Sequence, residues 1–165
     1  GDNVLISGTI IAARDAAHKA LTETLARGEA LPVNLAGETI YYLGPSPAKP
    51  GDVIGAAGPT TSGRMDKYTP TMINEVGING MIGKGYRSEA VVEEMKKSGC
   101  VYMVAIGGAG ALISQSIKKY EVLAYPELGP EAVARLTVED FPAIVAIDSE
   151  GNNFYEVGQA PYKKI

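Results

Sequence analysis

The sequence contains little cysteine and histidine, with one residue of each among 165. A single thiol cannot form a disulfide within the chain. Cys100 and His18 are also too few donors for a structural zinc ion or an iron–sulfur cluster. We therefore expect no metal site formed by this chain alone, and an unpaired cysteine favours a reducing compartment such as the cytoplasm.

Basic residues are in the minority, with 15 Lys and Arg against 19 Asp and Glu, for a net charge of −4. They are scattered, which argues against binding to nucleic acid or to an anionic membrane surface. No stretch approaches the roughly 18 apolar residues of a membrane span, and the first residues show neither a basic leader nor a signal-type apolar run. Any basic chemistry is therefore expected to be local.

The composition that remains, 45% hydrophobic and 21% charged, is that of a globular protein, and we predict one domain over residues 1–165. Residues 4–13 are apolar and β-branched, which predicts a strand with a bulge at Gly8. The period then changes to that of a helix, with Asp15 predicted as its N-cap and Gly28 as its left-handed end.

The same alternation continues along the chain. Further strands are predicted at residues 38–44, 52–58, 80–82, 100–106 and 121–125, and helices at 69–76, 88–98 and after the glycines of 107–110. Residues 141–158 predict a closing hairpin with "DSEGNN" as its turn, and the last seven residues look peripheral. Together these elements predict an α/β fold, with helices against a mixed sheet.

Three turns between strands and helices carry cations: Arg14 in "AARDAAHK", Arg64 in "GPTTSGRMD", and Lys84 with Arg87 in "IGKGYR". Such turns attract anions through exposed backbone N–H groups. Arginine binds a carboxylate with a planar fork, while lysine supplies a compact charge. Two arginines and one lysine would hold both ends of a small dicarboxylate.

The hydroxyl row "TTS" at residues 60–62 would bind ligand oxygens or relay a proton, although a lone threonine is a poor base. The same row suits a capped turn without a ligand, and Arg14 followed by Asp15 suits a solvated helix start. His18, one helical turn after Arg14, is expected to have a supporting role. From these residues alone, an enzyme and a non-catalytic anion-binding domain both stay open.

The glycine turn "IGGAGALI" raises a third alternative, nucleotide binding. Its match to the dinucleotide fingerprint stops after Gly108 and Gly110, because Ile113 occupies the third small position. The signal for a nucleotide site is therefore weak.

"ARDAAHK", "GPTTSGRMD" and "GKGY", in that order, resemble the β subunit, or C-terminal half, of the iron–sulfur hydro-lyases class I fumarate hydratase and L-tartrate dehydratase. The similarity extends through "VAIGGAGAL" and "FPAIVAIDSEGN", which is nearly the whole chain. Tyr86 departs from the pattern, in place of a further glycine. The resemblance implies a swivelling β/β/α fold and, first, the hydration of fumarate to (S)-malate, with tartrate dehydration as the alternative.

The resemblance also implies roles for individual residues. Arg14, Arg64 and Lys84 would hold substrate carboxylates, and Thr60 would lie beside the carbon that loses its proton. The supporting residues would be His18, Thr61 and Asp66. A cluster-bearing α subunit would provide three cysteines for a 4Fe-4S cluster whose open iron acts as a Lewis acid. The assembly would be a hetero-oligomer such as α2β2.

Overall fold

The computed structural model describes residues 1–164. Its strands are β1 (Asn3–Ala12), β2 (Thr39–Tyr41), β3 (Gly80–Gly83), β4 (Val101–Val104), β5 (Ile117–Ala124) and β6 (Val133–Ile147). Its α-helices are α1 (Asp15–Ala26), α2 (Thr69–Thr71, continued by a π-helical turn at Met72–Val76), α3 (Glu89–Ser98), α4 (Gly110–Ser114) and α5 (Phe154–Val157). Short 3₁₀ turns occupy Ser62–Met65, Pro126–Glu131 and Ala160–Tyr162.

The sheet closes on itself. Strands β1 to β4 lie parallel in chain order, and β6 pairs antiparallel with both β1 and β4. Ile144 of β6 is the point of closure, because it pairs with Asn3 on one side and with Val104 on the other. Strand β5 pairs with the first half of β6. This arrangement confirms the predicted α/β class with a mixed sheet.

Alternate residues of each strand enter two different cores, because successive side chains of a strand point to opposite faces. Ile11 and Tyr42 pack with the buried residues of helices α1 to α3. Their neighbours Ile10 and Tyr41 pack on the other face, within the closed sheet. The parallel strands are thus covered on both faces, which explains their nearly continuous apolar sequences.

Several sequence predictions are confirmed at single residues. The register of β1 shifts between Ile6 and Gly8, and Gly8 has φ of +126°. Gly28, Gly77 and Gly99 have φ between +72° and +81° at the ends of their helices. The Ser88 side chain accepts a hydrogen bond from the Val91 N–H, as a helix N-cap does.

Other predictions were wrong in their local structure. Arg14, and not Asp15, occupies the N-cap position of α1. Residues 52–58 form no strand, because the Ala56 backbone hydrogen-bonds to Ser46 and only Pro59 bridges to Leu43. The helix predicted after the glycines ends at Ser114, and β5 begins at Ile117 rather than at 121.

The predicted closing hairpin is also wrong. After the turn, only one bridge, between Ile147 and Asn153, joins the returning chain to β6. The Asn153 side chain then accepts a hydrogen bond from the Tyr155 N–H and starts α5. Within residues 1–164, no helix is long and apolar enough to cross a membrane.

Candidate functional site

The predicted turns meet at one edge of the sheet, where the parallel strands β1 to β3 have their carboxyl ends. Arg14 follows β1 and Lys84 follows β3. The hydroxyl row is anchored between the ends of β2 and β3: the Thr60 N–H donates to Tyr42 O at 2.7 Å and the Ser62 N–H donates to Lys84 O at 2.9 Å. The fold therefore brings together motifs that are distant in sequence.

One hydroxyl of the row belongs to the interior. The Ser62 side chain is fully buried, and its Oγ lies 2.8 Å from the Tyr102 hydroxyl, which also lies 2.8 Å from Gly85 O. Because a carbonyl only accepts, Tyr102 donates to Gly85 and accepts from Ser62. Gly83 makes room for this contact, since a Cβ there would lie 2.0 Å from Ser62 Oγ.

The other two hydroxyls lie nearer to solvent. Thr61 is exposed and pairs with Lys84 in a parallel bridge, while Thr60 is 9% exposed. The segment therefore exposes Thr61 and keeps Thr60 just below the surface, and the buried Ser62 holds both in place.

The two arginines of the site are linked through helix α1. Arg64 places Nε at 2.8 Å and Nη2 at 2.7 Å from Asp15 Oδ2, and Asp15 is the chain neighbour of Arg14. Arg14 places Nε at 3.1 Å from Glu131 Oε1, and its guanidinium packs on Gly44, where a Cβ would lie 2.7 Å from Cζ. The structure thus brings Arg14 and Arg64 to the start of α1.

Lys84 is exposed and has no carboxylate within ion-pair distance among residues 1–164. Its aliphatic stem runs past Gly107, where a Cβ would lie 3.6 Å from Lys84 Cδ. A free ammonium beside the hydroxyl row is available to an anion.

The glycine turn before α4 has a packing role. A Cβ at Gly110 would lie 2.9 Å from Gly58 N, and Gly110 O accepts a hydrogen bond from the Ala57 N–H. Helix α4 is only five residues long, and β5 after it pairs with the first half of the antiparallel strand β6. The turn therefore opens no βαβ unit of the nucleotide-binding kind.

Three buried side-chain atoms have no hydrogen-bond partner in the part of the chain that the structure describes: Arg14 Nε, Asp15 Oδ1 and His18 Nε2. All three belong to "RDAAH" at the start of α1. The Arg14–Glu131 contact is close, but it is not aligned as a hydrogen bond. Unsatisfied buried polar atoms are rare, and their concentration in one motif makes this place a candidate site.

His18 supports the Arg14 backbone. Its ring is buried, and Nδ1 donates to Arg14 O at 2.8 Å. The pKa of His18 is lowered to about 4, chiefly by burial; the hydrogen bond to Arg14 O opposes this shift and the charge of Arg87 adds to it. The imidazole is therefore neutral at pH 7, with Nε2 as an acceptor.

Arg87 and Asp66 belong to the interior rather than to the exposed edge. Arg87 Nε lies 2.7 Å from Asp66 Oδ1, and its guanidinium lies over the rings of Tyr42 and Tyr102. Burial lowers the pKa of Arg87, but the nearby Tyr42 and Asp66 more than offset this effect and hold the pKa above its ordinary value. Arg87, which the sequence grouped with Lys84, therefore does not face a ligand at this edge.

Sequence reasoning missed Glu131. This residue lies in the 3₁₀ turn between β5 and β6, and its Oε1 accepts a hydrogen bond from the Ala16 N–H at 3.2 Å. No motif surrounds it, so only the fold could reveal its contact with Arg14.

Among the described residues, no group of three or more His, Cys, Asp or Glu side chains could hold a metal ion. Cys100 is buried, and burial raises the pKa of its thiol to about 11. The side chains at this edge fit a small anion, whereas an iron–sulfur cluster finds no ligand set in residues 1–164.

Known proteins are similar to this chain over most of its length. The chain is 45% identical over 152 residues, 92% of its length, to a protein of Salmonella typhimurium named fumarate hydratase class I, aerobic, and spans 26% of that protein. It is 43% identical over 156 residues to fumarate hydratase 2 of Leishmania major, covering 94% of this chain and 28% of that one. The chain thus spans about a quarter of the length of these relatives.

A shorter relative matches along most of its own length. This is the putative L(+)-tartrate dehydratase subunit beta of Methanocaldococcus jannaschii, 40% identical over 171 aligned positions that cover 100% of this chain and 88% of that protein. The sequence model of the family described as Fumarase C-terminus matches residues 1–158, and the chain belongs to that family.

Proposed function

We propose that this chain is the β subunit of a hydro-lyase that interconverts fumarate and (S)-malate, and that it supplies substrate-carboxylate-binding and proton-transfer residues. The observation that carries the proposal is the convergence of Arg14, Arg64 and Lys84 on one sheet edge, beside buried polar atoms that lack partners. The names of the relatives supply the reaction.

In this proposal the three cations bind the two carboxylates of the substrate. The forks of Arg14 and Arg64 match planar carboxylates, and Lys84 adds a charge that no carboxylate in residues 1–164 neutralises. Clamping both ends of the substrate fixes its reacting carbons relative to Thr60. The same cations stabilise the negative charge that develops on a carboxylate when the adjacent carbon loses its proton.

Thr60 is the proposed proton acceptor. In the dehydration direction a C–H bond next to one carboxylate breaks, its proton goes to Thr60 Oγ1, and its electron pair forms the C=C bond as the hydroxyl leaves. The proton and the hydroxyl together make the released water. A neutral hydroxyl is a poor base, so a carboxylate of the partner has to accept the proton that Thr60 gives up.

The proposed partner is a cluster-bearing α subunit, because the described residues contain no ligand set for a 4Fe-4S cluster. When bound by that subunit, the cluster supplies a Lewis acid. The relative named subunit beta supports an assembly of two kinds of chain. The residues of this chain would then bind and orient the substrate and move the proton.

The test is steady-state kinetics of the assembled enzyme with Arg64→Ala and Arg27→Ala. Arg27 is a matched control, because both arginine side chains are 55% exposed and both place Nε against a carboxylate, Glu29 in the case of Arg27. Loss of a carboxylate clamp predicts a fall in kcat/KM of roughly 100-fold or more for Arg64→Ala. Arg27→Ala is expected to stay near the parent value.

Near-normal turnover of Arg64→Ala would overturn the assignment. Anaerobic purification with this chain as bait tests the partner: malate dehydration and iron are expected only in fractions that hold a larger, cysteine-bearing chain. An eluate without iron would instead favour a non-catalytic anion-binding or assembly domain.

L-tartrate dehydration is the second candidate, favoured by the relative of similar length that carries this name. Tartrate has one hydroxyl more than malate, so both substrates offer the same two carboxylates to the cations. Rates on malate and L-tartrate, measured side by side, decide between the two. A higher kcat/KM for tartrate would replace the first candidate with the second.

A further inference from the structure

Both arginines of the proposed clamp contact an internal carboxylate through the same part of the guanidinium. Arg64 places Nε and Nη2 within 2.8 Å of Asp15 Oδ2. Arg14 places Nε at 3.1 Å from Glu131 Oε1. In each case the Nε side faces a carboxylate of this chain, and Nη1 makes no hydrogen bond to residues 1–164.

This arrangement is suited to binding a second carboxylate. The five N–H groups of a guanidinium lie in one plane, with one edge at Nε and Nη2 and the other between the two terminal nitrogens. A carboxylate on the first edge fixes the plane, and a substrate carboxylate then meets the second edge end-on. Because Asp15 is 32% exposed and Glu131 29% exposed at the side chain, these contacts are only partly screened by water.

The two carboxylates are themselves attached to the first turn of α1. Asp15 is the first residue of that helix, and Glu131 Oε1 accepts the Ala16 N–H at 3.2 Å. Negative charge at a helix N-terminus is favourable, which helps to hold both carboxylates in place. Both arginine side chains are therefore positioned against the first turn of α1.

These contacts leave some hydrogen-bonding atoms without a partner in residues 1–164. Arg14 Nε and Asp15 Oδ1 are buried without an aligned hydrogen-bond partner. Hydrogen bonds of a site without substrate are often long or poorly aligned and tighten in the complex.

We propose that Glu131 and Asp15 are positioning residues: Glu131 holds Arg14 and Asp15 holds Arg64 by the Nε side, so that the terminal nitrogens of both forks face the substrate carboxylates. The inference rests on the proposed function. It assigns a role to Glu131, which lies far from the clamp in sequence. Specificity for two carboxylates then depends on Asp15 and Glu131 as well as on the two arginines.

The test compares Glu131→Gln and Asp15→Asn with Glu29→Gln in the assembled enzyme. Both amide variants keep a side-chain oxygen, so the Ala16 N–H retains an acceptor at Glu131→Gln. Glu29 is the matched control, because it contacts Arg27 Nε at 2.9 Å away from the site. Loss of a charge-assisted contact predicts a rise of about tenfold in KM for malate, and in Ki for succinate, at both site carboxylates. The control is expected to change neither value beyond about twofold.

A double-mutant cycle separates positioning from general structural damage. If Glu131 acts through Arg14, adding Glu131→Gln to Arg14→Ala changes KM little beyond the effect of Arg14→Ala alone. A purely structural role predicts a lower melting temperature and fewer active sites with an unchanged KM. That result, or an additive cycle, would overturn the inference.

The two proposals fail in different ways. If Arg14→Ala and Arg64→Ala lower kcat/KM by roughly 100-fold while Glu131→Gln and Asp15→Asn keep the parent KM and Ki, the positioning roles are wrong and the clamp stands. If the arginine variants themselves retain full activity, the clamp fails and the positioning roles fail with it.

Discussion

Two Arg–Asp pairs of similar length lie near the same loop, and they differ mainly in burial. Arg87 lies 2.7 Å from Asp66 with its side chain fully buried. Arg64 lies 2.7 Å from Asp15 with its side chain 55% exposed. The buried pair is enclosed by Tyr42, Tyr102 and Thr69, whereas the exposed pair keeps donors free. The first pair stabilises the fold, and the second is suited to exchange contacts with a ligand.

The largest loss of stability is expected from Asp66→Asn, which breaks the buried pair. Removing one partner of a buried ion pair leaves an uncompensated charge, which costs about 3–5 kcal/mol of the free energy of unfolding. Urea unfolding at pH 7 measures it. A cost below about 1 kcal/mol would show that Arg87 finds another partner and that the buried pair does not hold the loop.

His18 lies between the two pairs and predicts a pH dependence of stability. Its pKa is lowered from 6.5 to about 4 by burial, so the unfolded chain binds a proton that the folded chain excludes. This contribution is fully present above pH 6.5 and is lost as pH falls toward 4, by about 3 kcal/mol in total. Urea unfolding between pH 7 and pH 4 should give a shallower dependence for His18→Gln than for the parent. Equal slopes would contradict the assignment.

A smaller effect is expected where the hydroxyl row meets β3. At Gly83→Ala the new methyl group would lie 2.0 Å from Ser62 Oγ and has to displace it, at a cost of about 1–3 kcal/mol. Because Thr60 moves with Ser62, activity should fall as well. The double variant Gly83→Ala/Ser62→Gly should recover part of the lost stability, and its melting temperature is the check.

The smallest effect on stability is expected from Arg64→Ala. An exposed ion pair contributes about 0–1 kcal/mol, so the melting temperature should change little while kcat/KM collapses. Asp66→Asn and Arg64→Ala together form the contrast: one pair matters for folding and the other for function. A large loss of stability with Arg64→Ala would erase that difference.

Much of the fold could be predicted from the sequence, where local signals agree. The bulge at Gly8, the N-cap at Ser88 and the helix ends at Gly28, Gly77 and Gly99 depend on backbone conformations that only a few residue types allow. The predicted strand at 52–58 failed because the Ala56 backbone hydrogen-bonds to Ser46, and the closing hairpin failed because the Asn153 side chain caps α5 instead of continuing a strand.

The candidate site, too, could be predicted only in part. The residue types at each turn could be read from the sequence: Arg14, Arg64 and Lys84, with Thr60 among hydroxyls. It could not show that Arg87, two residues from a turn glycine, is enclosed by aromatic rings, nor that Glu131 reaches Arg14. Those outcomes depend on packing between elements more than 20 residues apart in the case of Asp66 and Arg87, and 115 apart for Ala16 and Glu131.

Local conformations and the chemistry of the turns follow from the amino-acid sequence, because glycine, proline and capping side chains act within a few residues. Which cations lie exposed at the sheet edge follows from the tertiary fold. Closure of the sheet through Ile144 sets which strand ends are neighbours, and burial then decides whether an Arg–Asp pair is held in the core or left at the edge. Both depend on long-range packing, which no single segment encodes.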